Sequence, residues 1–158
     1  MRVYADTSFL VKLLTQEPGT AAAVAVYRHL GRPPVFFLPL HGLEVANAIR
    51  QRAFHQRRTT ASSERFSIKR ERDTSLALLN KYISCGAFVE TSLNMDATID
   101  RARGLSDKHT ERLGCRGFDL LHVALALVLE CEAFLTADRI QGALARAEGL
   151  DVTAQIKD

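Results

Sequence analysis

Two kinds of apolar pattern alternate along the chain. Short β-prone runs occur at VYA (3–5), VFFL (35–38), FVET (88–91), AFLT (133–136) and, more weakly, DVTA (151–154). Between them, apolar residues recur at three- or four-residue spacing, the signature of one helix face. Leu10, Leu13 and Leu14 form the first such stretch and Ala22 to Leu30 the second. Gly31-Arg32-Pro33-Pro34 ends the second, because proline cannot continue a helix. Leu43, Ala46, Ile49 and Ala53 mark a third helix, Ser63 to about Ser84 a fourth, and Met95 to about Leu113 a fifth. Phe118 to Glu130 is apolar nearly all round and is expected to be buried. Strands alternating with helices predict parallel βαβ units in a three-layer α/β sandwich. No internal repeat or low-complexity tract divides the 158 residues, so a single domain over 1–158 is expected.

Composition narrows the class. Hydrophobic residues make up 47% and charged residues 25%, ordinary usage for a folded domain. The cysteines, Cys85, Cys115 and Cys131, are odd in number and form no C-x-x-C, which argues against a disulfide framework or a cysteine zinc site. Asp6 and Lys12 interrupt any apolar core of a signal peptide, and the longest unbroken apolar run, Val123 to Leu129, is too short to span a bilayer. A cytoplasmic protein is expected.

The polar residues that interrupt this pattern carry the chemistry. Asp6 follows the first apolar run directly, and Asp138 stands just past the run at 133–136. In open parallel sheets, ligands collect outside the carboxyl ends of strands. Glu44 shares a helix face with Leu40 and Ala48, and Asp119 opens the most apolar helix, with His122 one turn on. Each acid alone could be a helix cap or an edge residue. Together, two at strand ends and two near helix starts, they suggest one shared cation, since buried carboxylates need a partner. Carboxylates without cysteine favour Mg²⁺ or Mn²⁺. A rival is zinc held by His41-x-x-Glu44 and Asp119-x-x-His122 at helical i,i+3 spacing.

Other acidic or phosphate-handling motifs do not fit. A D-x-D-x-T phosphatase motif would need an acid where Ser8 stands, and FVETS offers no phospho-accepting Asp. The chain has no P-loop, no G-x-G-x-x-G and no G-x-S-x-G elbow.

The order Asp6-Thr7-Ser8, then Glu44, then R-G-F-D-L-L-H-V-A-L-A containing Asp119, then L-T-A-D ending in Asp138, resembles the PIN-domain nucleases. Within them it resembles the VapC-type toxins of toxin–antitoxin pairs. The resemblance runs through nearly the whole chain. It implies a five-stranded parallel sheet flanked by helices, and RNA cleavage by Mg²⁺ or Mn²⁺ held at Asp6, Glu44, Asp119 and Asp138. It implies Thr7, Ser8 and Thr136 as hydroxyl contacts, with a homodimer and a cognate antitoxin as partners. It assigns no role to His41. The alternative is a PIN-like module that binds RNA or protein without cutting.

Charge distribution adds to this. Formal net charge is only +3, yet eight of the 21 basic residues fall between Arg50 and Arg72. Arg50, Arg57, Arg58 and Arg65 from this stretch, with Arg116 before Asp119, are candidate phosphate contacts for an RNA substrate. The competing reading is a solvated helix hairpin.

Overall fold

The computed structural model describes residues 1–152. Four parallel strands, β1 (Val3–Ala5), β2 (Val35–Phe37), β3 (Phe88–Glu90) and β4 (Ala133–Leu135), lie in the order β3-β2-β1-β4. The helices are α1 (Thr7–Leu14), α2 (Thr20–His29), α3 (Pro39–Thr59), α4 (Arg65–Ser84), α5 (Met95–Leu113), α6 (Gly117–Val128) and α7 (Arg139–Ala147). A short 3₁₀ turn, Ser62–Glu64, leads into α4. This is an α/β arrangement, a parallel sheet flanked by helices.

The sheet differs from expectation in one respect: four strands form among the described residues, not five. At the expected fifth position, Asp151 makes an isolated parallel bridge to Ala133. Its carbonyl accepts from Phe134 N at 2.8 Å and its N–H donates to Glu132 O at 2.9 Å. A single bridge is not a ladder, and the remainder of 151–154 beyond Val152 lies outside the described residues.

Alternation along β1 separates two cores, because successive side chains point to opposite faces. Val3 and Ala5 pack with Phe9, Leu10, Val35, Phe37, Leu79 and Phe88 on the side covered by α1 to α4. Tyr4 packs with Leu105, Val123, Leu125, Phe134 and Leu144 on the side covered by α5 to α7. Burying a side chain of this size is worth about 1.5–3 kcal/mol, so each short strand is held by its faces more than by its few ladder bonds. α6 is buried from Asp119 through Leu120 and from His122 through Ala126, as its all-round apolar sequence requires.

Register then places the chemistry. Val3, Tyr4 and Ala5 pair with Ala133, Phe134 and Leu135. The next step along both strands sets Asp6 beside Thr136, and Asp6 N donates to Leu135 O at 3.0 Å. Among the described residues, no helix is long and apolar enough to cross a membrane.

Candidate active site

Asp6 is buried, and all of its carboxylate bonds are to neutral donors. Oδ1 accepts from Phe9 N at 2.9 Å, so Asp6 does cap α1. Ser8 Oγ donates to the same carboxylate at 2.8 and 2.9 Å, and Thr136 Oγ1 donates to Oδ2 at 2.7 Å. Burial pushes its carboxyl above the usual range, with the charge of His122 and these hydrogen bonds pulling the other way. The two hydroxyls also knit β1 to β4: Ala137 N donates to Ser8 Oγ at 2.9 Å and Asp138 N to Thr136 Oγ1 at 2.8 Å.

Asp138 caps α7, accepting from Ile140 N at 2.7 Å and Gln141 N at 2.9 Å. Asp119 accepts the backbone N–H of Arg116 at 2.7 Å at the start of α6, and its other oxygen accepts from Gln141 Nε2 at 3.2 Å. Asp6 and Asp138 are therefore true N-caps, while Asp119, the third residue of α6, accepts the N–H of the N-cap residue Arg116. A cap leaves carboxylate lone pairs available, so it does not preclude a ligand role.

Glu44, in the second turn of α3, is fixed by two donors. Thr7 Oγ1 donates at 2.9 Å and His122 Nε2 lies 2.9 Å from the same oxygen. His122 Nδ1 lies 2.8 Å from Tyr4 Oη, which is buried beneath it. Burial, reinforced by the nearby Asp6 and Glu44 charges, raises the Tyr4 pKa and keeps its proton in place. When the imidazole is neutral, the assignment that satisfies every partner has Tyr4 O–H donating to Nδ1 and Nε2–H donating to Glu44; when it is protonated, its charge adds to the Glu44 contact. Burial alone would push the Glu44 carboxyl up. The His122 bond and charge and the Thr7 bond outweigh it and hold the carboxyl below the usual range.

His41 serves the fold. Its Nδ1 accepts Leu38 N at 3.0 Å at the start of α3, and its ring stacks on Phe37 at 5.5 Å between centroids. Burial first, and then His122, lower its pKa to about 3, so it brings no positive charge to the site.

These groups surround one cleft of about 450 Å³, whose wall includes Thr7, Ser8, Glu44, His122, Asp138 and Gln141. Asp6 lies just beneath, joined to it through Ser8 and Thr136. Asp119 joins it through Gln141. A larger cavity of about 800 Å³, between α3 and α4, includes Arg50 but none of the four acids. It is bigger, but the titratable groups converge in the smaller one, and that convergence marks a reactive site better than volume does.

The family model for the PIN domain matches residues 3–148, a span that contains every one of these acids. The chain belongs to the PIN domain family. PIN domains are generally nucleases. The crystal structure of PAE2754 from Pyrobaculum aerophilum is a structural neighbour of this PIN domain, with a TM-score of 0.53 and 15% identity. The alignment covers 99% of this chain and 88% of that one, and at this identity it bears on the fold alone. No curated protein sequence matches the chain.

PIN-domain nucleases generally use divalent metals. Among the described residues, no group of three or more His, Cys, Asp or Glu side chains stands together in a ligating arrangement. The donor chemistry nonetheless fits a hard cation. The acids offer oxygen only, and Asp6, Glu44 and Asp119 contact no Lys or Arg side chain among the described residues.

The basic stretch divides in two. Arg52 is tied into the fold, pairing with Glu17 at 3.2 Å and Glu71 at 3.3 Å. Arg72 pairs with Asp73 at 2.7 Å. Arg50, Arg57, Arg58 and Arg65 are exposed, as is Arg116, three residues before Asp119. Arg58 also covers the Phe54 ring at 5.6 Å.

Sequence reasoning left Tyr4 and Gln141 out of the site and gave His122 no assignment beyond the zinc rival. Gln141 had a legible signal, since it lies one helical turn past Asp138. Tyr4 had none, because a tyrosine in a buried strand reads as core.

Proposed function

We propose that this PIN domain is a Mg²⁺- or Mn²⁺-dependent endoribonuclease and the toxin of a type II toxin–antitoxin pair. The observation that carries the reading is the gathering of Glu44 and Asp138 on one cleft, with Asp6 beneath it and Asp119 beside it, at the carboxyl edge of the sheet. In this reading the four acids hold the ion, directly or through water. A divalent cation held there would neutralise charge on the scissile phosphate and lower the pKa of a water, easing its deprotonation for in-line attack. Glu44 enters the reaction ionised and in one rotamer because Thr7 and His122 hold it. Ser8 and Thr136 fix both oxygens of Asp6, so its carboxylate has little freedom to turn. A carboxylate not bound to the ion would orient the attacking water. The products would carry a 5′-phosphate and a 3′-hydroxyl.

The partners of this reading are an RNA strand guided by the exposed arginines, a second copy of the chain and an antitoxin. The antitoxin would lay an apolar helix in a groove and bring a basic side chain toward the acids. A second reading, a module that binds RNA or protein without cutting, draws support from the backbone N–H bonds that the three aspartates accept at helix starts. Retention of all four acids weighs against it. The deciding experiment expresses the wild type and Asp119→Asn in cells and sequences new RNA 5′ ends. A discrete set of ends in the wild type, absent in the variant, supports the nuclease. Indistinguishable profiles would remove it.

A further inference from the structure

The segment R-G-F-D places an apolar residue where burial would be expected and does not occur. Phe118 is the second residue of α6, the helix whose later positions form the heart of one core, yet its side chain is 56% exposed. Leaving a phenylalanine in water forgoes the stabilisation that burying its ring would bring. A single exposed apolar residue is common and by itself signifies little. Phe118 differs from Phe54 and Phe66 in where it stands: it forms part of the wall of the cleft that also presents Ser8, Glu44, His122 and Asp138. Asp119 follows it in sequence, and the exposed Arg116 stands two residues before it.

A phosphodiester brought to those acids carries a base on either side. The cleft wall is otherwise poor in flat apolar surface, with Val11, Ala48 and Ala137 as its other apolar members. An exposed aromatic ring is the group that offers a base a π-face, and an exposed arginine such as Arg116 is the kind of group that meets a phosphate backbone. We propose that Phe118 is a stacking platform for an unpaired base next to the scissile phosphate. Phe118 is thereby a binding determinant shared by all four bases, since each has a π-face. The inference rests on the nuclease reading of the cleft and adds to it a base-contacting residue.

The chain has no tryptophan, so Phe118→Trp makes a single reporter at the site. The variant is titrated with a short single-stranded RNA in Ca²⁺ at low salt. Affinities of wild type, Phe118→Trp, Phe118→Leu and Phe118→Ala are followed in parallel by anisotropy of the labelled RNA. Stacking predicts saturable quenching of the tryptophan, near-wild-type affinity for Trp, and affinity about 5- to 150-fold weaker for both Ala and Leu. Melting temperatures should match, because the side chain is exposed. An RNA in which the bases around the cut site are replaced by abasic sugars should lose affinity for the wild type and little for Phe118→Ala. If RNA binds the wild type and all variants equally and the tryptophan does not respond, stacking is wrong while the nuclease reading stands. If Phe118→Ala keeps its RNA affinity but changes the sedimentation coefficient, the ring belongs to a protein interface and the proposal is overturned. If the wild type binds no RNA, the nuclease reading fails and this inference with it.

Discussion

His41→Gln separates a structural histidine from a chemical one by its pH signature. In the fold, the His41 pKa is lowered to about 3 by burial and by the neighbouring His122. In the unfolded chain it titrates near 6.5, so between those values the unfolded state holds a proton that the folded state does not. Stability therefore rises with pH through this window and falls on acidification. From pH 7.5 to pH 5 the loss attributable to this residue is about 2 kcal/mol, the slope approaching roughly 1.4 kcal/mol per pH unit below pH 6.5. Glutamine at the same helix position can accept the Leu38 N–H that Nδ1 now accepts, which preserves the cap. Leucine could not, and an orphaned buried N–H would cost about 1–3 kcal/mol at every pH. Urea unfolding of the wild type and His41→Gln at pH 7.5 and pH 5 reads the difference. The expected outcome is stability within about 1 kcal/mol at pH 7.5 and a wild type that loses about 2 kcal/mol more than the variant at pH 5. Parallel losses in the two proteins would refute the neutral buried histidine.

Three further outcomes follow from the site. Asp6→Asn keeps an oxygen for the Phe9 N–H while removing a buried charge, so without metal its melting temperature should equal or exceed that of the wild type. The Mg²⁺-induced rise, about 2.7 kcal/mol at a hundredfold excess over Kd for a bound ion, should shrink sharply; an undiminished Mg²⁺ response in thermal unfolding would leave Asp6 only a cap. Tyr4→Phe retains the stack on Phe134 but strips His122 Nδ1 of its donor; stability should fall by about 1–3 kcal/mol, and the Mg²⁺ concentration for half-maximal cleavage should rise as Glu44 loosens, with unchanged values disproving the relay. Replacing Arg57 and Arg58 together by Ser should flatten the salt dependence of RNA affinity by about 1.4 in log–log slope if both meet phosphates of a single strand; an unchanged slope in binding titrations would make them solvated residues only.

The strands were legible because each is a short apolar run closed by a polar or turn residue, and the placement of Asp6 and Asp138 at strand ends followed from that. VFFLPLHG was harder. Its apolar run continues past Phe37, yet the strand stops there, because Pro39 is suited to a first helical turn and His41 takes the Leu38 N–H. The fifth strand was read from DVTA, whose one described bridge at Asp151 is local backbone pairing that composition cannot separate from a ladder. The acids were legible as polar breaks in apolar patterns, but their connections were not. Tyr4 and His122 meet across 118 positions, and Gln141 reaches Asp119 across 22. Such contacts depend on register and helix rotation, which no local pattern encodes. The same holds for Arg52, which reads as one charge in a basic run and is spent on Glu17 and Glu71.

The most direct measurement is cleavage of a 5′-labelled RNA by the purified protein in Mg²⁺, in Mn²⁺, in Zn²⁺ and in chelator, with Asp6→Asn and Glu44→Gln alongside. The account predicts fragments with 5′-phosphate and 3′-hydroxyl ends in Mg²⁺ and Mn²⁺, none in chelator, no rescue by Zn²⁺ alone and none from either variant. Cleavage that persists in chelator, or that both variants perform at the wild-type rate, would contradict it.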